Sequence, residues 1–256
     1  MTGERIRLVG IPIDDLSFEE ALDRMEEMIQ KRRPAGQALT LNVDVMVKLR
    51  RDPEFGAVAE RSPLVLADGM PILWAVRFLG RPIRARICGT DLVPALSRRA
   101  AEKGYSVYFF GGKPGAAEEA AFRLGKRYHG LRVAGISVPP FGFEADPSQN
   151  ARFIQEVKRA APNILFVALG APRQEKWLDA HLAELGIPLC LGVGGTFEIV
   201  AGLRARAPVW LQWIGLEWVW RLLQEPARLW RRYLVENPVF FWWVLLEKLG
   251  RKGLNR

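Results

Sequence analysis

Cysteine is nearly absent from this 256-residue sequence, with Cys88 and Cys190 the only two. Two thiols so far apart supply neither a disulfide framework nor the clustered ligands of a zinc site, and they fit a reduced environment. Histidine is equally scarce: His129 and His181 fall in expected helical or helix-end surface positions, so neither competes well for a general-base role. No Asp-x-Asp follows a strand, and Asp14-Asp15 lies in an amino-terminal turn, so no divalent metal for a pyrophosphate is evident. The longest uninterrupted apolar run, Val239 to Leu246, has eight residues. That falls well short of the ~20 needed to span hydrocarbon, and no segment is expected to cross a membrane. The opening stretch carries two arginines but no apolar core before a small-residue cleavage site, so no secretory signal is expected. Internal repeats and low-complexity segments are also missing.

What is present is apolar and basic. A hydrophobic content of 49% over this length is enough for a sizeable core. The formal charge is +9, and it is uneven: from Leu203 onward ten Lys/Arg face four Glu, a net of +6. The same stretch holds seven of the nine tryptophans, namely Trp210, Trp213, Trp218, Trp220, Trp230, Trp242 and Trp243. Arginines attract anionic headgroups, and indole rings settle between water and acyl chain, so this composition suits an anionic membrane surface. Nucleic-acid grooves instead set stacking aromatics in a polar surface, so no nucleic-acid partner is expected. Residues 1–202 are read as the body and 203–256 as a basic, Trp-rich helical appendage. Self-association in solution would mask its apolar residues.

The body alternates short β-branched or aromatic runs with longer amphipathic segments, the pattern of βα units and a mainly parallel sheet flanked by helices. Strands are expected over residues 5–11, 38–41, 64–67, 106–110, 132–137, 164–169 and 188–191. Helices are expected over 17–32, 71–79, 91–102, 114–128, 148–160 and 172–185, several opened by a capping-box spacing or a proline. In such sheets ligands bind beyond the carboxyl ends of the strands. The residues there are Thr40-Leu41-Asn42, Asp68-Gly69-Met70, Gly111-Gly112-Lys113-Pro114-Gly115, Gly170-Ala171-Pro172-Arg173-Gln174 and Gly192-Val193-Gly194-Gly195-Thr196.

Each of these has a functional and a structural reading. Gly111-Gly112 resembles a phosphate-cradling turn, but it lacks the ending of a P-loop and the spacing of a dinucleotide fingerprint, so a plain tight turn is the alternative. The second glycine pair, Gly194-Gly195, strengthens the phosphate reading. Asp68 is either the cap of the following helix or a general base that takes a proton from an attacking hydroxyl. Gln174 and Glu198, beside glycine turns, either hydrogen-bond a sugar, ribose or base or simply solvate helix starts. A departing diphosphate needs neutralising, and Arg221, Arg228, Arg231 and Arg232 offer it. If a helix follows Pro226, then 228, 231 and 232 share a face; a headgroup-binding face is the alternative and is compatible.

At these residues the chain resembles the WecG/TagA/CpsF type of bacterial glycosyltransferase. That family includes the N-acetylmannosamine transferase of wall teichoic acid synthesis, the N-acetylmannosaminuronic acid transferase of enterobacterial common antigen, and exopolysaccharide glucosyltransferases. The resemblance runs through Leu66-Ala67-Asp68-Gly69, Gly89-Thr90-Asp91-Leu92, Leu169 to Glu175, Gly192 to Glu198, Arg206-Ala207-Pro208 and Gly215-Leu216-Glu217-Trp218, over about four-fifths of the chain. Leu41 and Glu198 depart from it, standing where proline and aspartate are common. The resemblance implies a Rossmann-like body, a UDP-sugar donor at the strand ends, no further cofactor, and inverting, metal-independent transfer to a polyprenyl-diphosphate-linked sugar. By the same resemblance Asp68 is the base, Thr40, Asn42 and Gln174 are active-site contacts, and Arg221, Arg228 and Arg231 close over the diphosphate. Gly111, Gly112, Gly170, Pro172, Gly194, Gly195 and Glu198 then line the donor site. A membrane-docking appendage and a peripheral location at the inner face of the cell membrane are implied as well. The alternatives are a membrane-surface module that binds a nucleotide sugar without turnover, and a nucleotide-dependent oxidoreductase. The latter is disfavoured because no Gly-x-Gly-x-x-Gly follows the first strand.

Overall fold

A computed structural model describes residues 5–31 and 35–250. Arg32, at the end of the expected first helix, and residues 1–4 and 251–256 of the expected body and appendage lie outside the described residues. In chain order the elements are β1 (Arg5–Leu8), β2 (Ile11–Asp14), α1 (Phe18–Lys31), β3 (Gly36–Leu41), α2 (Val43–Arg51), α3 (Pro53–Arg61), β4 (Leu64–Ala67), α4 (Met70–Phe78) and α5 (Gly89–Lys103). Then come β5 (Ser106–Gly111), α6 (Ala116–Arg127), β6 (Arg132–Ser137), α7 (Pro147–Ala160), β7 (Ile164–Ala168), α8 (Arg173–Leu185), β8 (Leu189–Gly192) and α9 (Thr196–Val200). The carboxy-terminal part adds α10 (Val209–Trp213), α11 (Glu217–Gln224), α12 (Pro226–Arg231), a π-helical turn (Arg232–Glu236) and α13 (Pro238–Lys248).

The chain divides into two compact units. Unit 1 takes residues up to Phe18, Thr40–Cys88 and those from Arg206 on; unit 2 takes Glu19–Leu39 and Gly89–Ala205. The residues from Arg206 on are thus compact together with the first and third stretches of the body.

In unit 2 parallel strands run in the order β3-β8-β7-β5-β6. Side chains of successive strand residues point to opposite faces, so a strand covered on both sides is apolar throughout. Tyr108 and Phe110 of β5 face a cluster with Leu165, Val167, Trp177, Leu178 and Cys190, where the Phe110 and Trp177 rings stack at 4.8 Å. Phe109 points the other way, onto Phe166 at 5.6 Å and Phe197 at 5.3 Å. The buried Tyr108 hydroxyl meets Ser137 Oγ at 2.5 Å, and burial pushes its phenol up to about 12. The last two residues of β3 belong to unit 1, where the Asp68 N–H, just after β4, donates to Leu41 O at 2.8 Å. This is the expected α/β class, a Rossmann-like parallel sheet flanked by helices.

One expected strand is corrected. Residues 5–11 do not form a single strand but open an antiparallel hairpin, β1 with β2, in unit 1. Its two turn residues both have positive φ, 47° at Val9 and 87° at Gly10, as two-residue hairpins require. Glycine adopts that backbone freely, whereas valine does not. Val9 is held there from both sides: its N–H donates to Glu247 Oε2 at 2.7 Å, and its carbonyl accepts from Arg50 Nη1 at 2.8 Å. The hairpin also reaches the β4 edge, where Asp14 Oδ2 accepts the Val65 N–H at 2.7 Å.

Phe109 fixes β5 and the start of its glycine turn through packing alone. Replacing it with alanine is expected to cost ~3–5 kcal/mol in urea unfolding. A loss of about 0.5 kcal/mol, as for a surface site, would show that this face of the sheet is not close-packed.

Candidate active site

Three glycine turns follow neighbouring strands of unit 2. After β5, the Gly112 N–H donates to Ala168 O at 2.9 Å, and a Cβ on Gly111 would lie 2.9 Å from that same oxygen. Close approach of two backbones therefore requires glycine at 111, whatever binds there. After β7 come Gly170 and a cis Ala171–Pro172 peptide, with Pro172 as the residue before α8. After β8, the Val193 N–H donates to Val167 O at 2.8 Å, and the Gly195 carbonyl accepts from Arg204 Nη2 at 2.6 Å.

Gln174 lies in the first turn of α8 and is buried. Its Oε1 accepts the Gly170 N–H at 3.0 Å and the Gly194 N–H at 3.1 Å, and its Nε2 donates to Glu175 Oε1 at 2.6 Å. Glu198, in α9, is also buried, and its Oε2 has no hydrogen-bond partner. A buried carboxylate oxygen left so is costly, and a ligand hydroxyl would satisfy it.

Sequence reasoning did not find the partner of Arg173. This guanidinium pairs with Glu144 through two bonds of 2.5 and 2.8 Å and lies over the ring of Phe141 at 4.2 Å. Phe141 itself is 92% exposed. The bonds from Arg173 hold the Glu144 carboxyl below the usual carboxylate range. His181 packs on Trp177 and meets Asn150 at 3.2 Å, and burial lowers its pKa. Both cysteines are buried and neither is in a disulfide, and Cys88 Sγ accepts from Arg206 Nη2 at 3.5 Å.

Unit 1 carries Thr40, Asn42, Asp68 and the tail arginines. Asn42 caps α2, its Oδ1 accepting the Val45 N–H at 3.1 Å. Asp68 is half-buried at the end of β4. Gly69, the residue after Asp68, stands at the cap position of α4 with φ 112°. Arg221 is half-buried with an Nε that has no partner, whereas Arg228 and Arg231 are exposed and paired with Glu225 and Glu236. The expected helix after Pro226 is α-helical only to Arg231. Arg232 begins the π-helical turn and pairs with Asp44 at 3.0 Å. Sequence reasoning also missed Arg86, which reaches Glu217 at 3.0 Å and Gln212 at 3.3 Å; Glu217 in the Gly215-to-Trp218 block was the available signal.

Glycine turns at the carboxyl ends of parallel strands are where α/β enzymes bind their ligands. The chain belongs to the Glycosyl transferase WecG/TagA/CpsF family, whose model matches residues 6–254, and it is a glycosyltransferase. It is similar to the N-acetylglucosaminyldiphosphoundecaprenol N-acetyl-beta-D-mannosaminyltransferase of Bacillus spizizenii, 28% identical over 228 residues that cover 87% of this chain and 86% of that protein. It is also similar to the Bacillus subtilis protein of the same name, 27% identical over 243 residues, covering 95% and 92%.

The Arg173–Glu144 pair gives a pH signature. A carboxyl held below its ordinary value of 4.5 contributes stability above that pH and loses it as pH falls through the lowered value. The difference in urea midpoint between wild type and Glu144→Gln should be full at neutral pH and shrink below about 4.5. A difference that does not change on acidification would show that the pair contributes no charge-dependent stability.

Proposed function

We propose that this chain transfers N-acetylmannosamine or a related hexose from a UDP-sugar to a polyprenyl-diphosphate-linked sugar, with inversion and without a metal or other cofactor. An acceptor hydroxyl attacks the anomeric carbon, the bond from that carbon to the diphosphate oxygen breaks, UDP departs, and Asp68 takes the hydroxyl proton. The observation that carries this reading is Asp68 itself, a half-buried carboxylate at the end of β4, in a chain whose relatives are named for such a transfer. Thr40 and Asn42 stand as substrate contacts at the end of β3. Gly111, Gly112, Gly170, Pro172, Gly194 and Gly195 shape the donor turns, and Glu198 receives a donor hydroxyl. Arg221, Arg228 and Arg231 neutralise the departing diphosphate, the latter two by exchanging their glutamate partners for phosphate oxygens.

The same reading places the chain on an anionic membrane surface at the inner face of the cell membrane. Among the described residues no helix is long and apolar enough to cross a membrane. Trp210, Trp213, Leu223, Trp230, Phe241 and Trp242 are nevertheless exposed, while Leu229, Phe240 and Val244 are buried and hold their helices in unit 1. Exposed indoles among arginines are what an interfacial anchor needs.

Asp68→Asn should bind UDP as wild type does yet transfer sugar about 10²- to 10⁴-fold more slowly; an unchanged rate in a folded variant would remove the base assignment. A chain cut after Leu203 should lose both sedimentation with vesicles containing anionic lipid and turnover on a lipid acceptor. Retention of both would contradict the role of the tail.

A further inference from the structure

The Gln174 side chain bonds the turns after β7 and β8 to each other. Its carboxamide has a fixed orientation, because two backbone N–H groups face Oε1 and a carboxylate faces Nε2. A flipped amide would set NH2 against two N–H donors. The fold makes room for this arrangement at Gly192, where a Cβ would lie 2.7 Å from Gln174 Nε2 and 2.9 Å from Glu175 Oε1. Behind it, the Glu175 carbonyl accepts from Nε2 of the buried Gln37 at 3.4 Å. We infer that Gln174 is a positioning residue: it sets the spacing of the Gly170 and Gly194 turns that receive the donor diphosphate, and it acts through those backbones rather than by touching the sugar. The inference rests on the sugar-transfer reading above for its kinetic arm only.

The chemistry of the pair supplies the test. A glutamate at 174 still accepts both N–H groups but faces the Glu175 carboxylate. Exchanging the two residues, Gln174→Glu with Glu175→Gln, restores an amide donor against a carboxylate acceptor. The full chain carrying Gln174→Ala, Gln174→Glu or the exchange is compared with wild type in two measurements, amide hydrogen exchange at Gly170 and Gly194, and KM for UDP-sugar and for the lipid acceptor. For Gln174→Ala and Gln174→Glu, faster exchange at both glycines is expected, with donor KM raised about tenfold, equivalent to about 1.4 kcal/mol, and acceptor KM unchanged. The exchanged pair should recover both the protection and the donor KM. Unchanged protection at both glycines in Gln174→Ala would overturn the inference, as would a fall in kcat with donor KM unchanged, the mark of a substrate contact. Should Gln174→Ala fail to fold, the exchanged pair decides alone: recovery supports the inference and no recovery refutes it. If wild type itself transfers no sugar, the catalytic reading fails while amide exchange still judges the bracket.

Discussion

The hydrogen bonds at the carboxyl ends of β5, β7 and β8 are the constraint on which the three glycine turns of unit 2 depend. The Gly112 N–H is committed to Ala168 O, the Val193 N–H to Val167 O, and those of Gly170 and Gly194 to Gln174. These turns are therefore held by the protein before any ligand arrives, which is the preorganisation that lets a site bind without reordering itself. It also changes what the glycines are for. Several of the amides that a sequence reading assigns to phosphate are already used within the sheet, so the turns serve by shape and by clearing side chains from the approach. Among the described residues, Glu198 Oε2 is one of the buried polar atoms without a hydrogen-bond partner.

Unit 1 solves a different problem, that of a tail both apolar and basic. Part of its charge is spent on the body: Arg232 on Asp44, Glu217 on Arg86, and Glu247 on Arg81 and the strained Val9 backbone. These pairs are partly shielded from solvent and fix the tail helices, whereas the pairs of Arg228 and Arg231 are more exposed and individually weak. A weak, exposed ion pair is easily exchanged for another anion. The indoles and phenylalanines between them remain exposed, and the tail is thereby anchored by one set of residues and left available by another.

Much of this was legible in the sequence, and the failures have physical causes. Residues 64–67 and 132–137 read as strands at their observed bounds because apolar runs between turn residues leave little choice. The hairpin at residues 5–14 was missed because Val9 carries no turn signal, and its backbone is stabilised by Glu247, far away in sequence. Helix α2 was missed because valine at 43, 45 and 47 alternates like a strand, while the Asn42 cap and burial against unit 1 neighbours override that pattern. At the site, strand-end positions and glycines were visible. The Arg173–Glu144 pair and the bracketing by Gln174 were not, since each joins residues that only the folded chain brings together.

We propose that this fold moves a sugar from a nucleotide diphosphate onto a lipid-linked sugar without help from a metal. Mass spectrometry of the lipid products tests it directly. The wild-type chain is incubated with UDP-N-acetylmannosamine and a short polyprenyl-diphosphate N-acetylglucosamine in excess EDTA. The account predicts a disaccharide lipid and one UDP released per product. UDP bound but no disaccharide formed, or product that appears only when a divalent cation is restored, would contradict it.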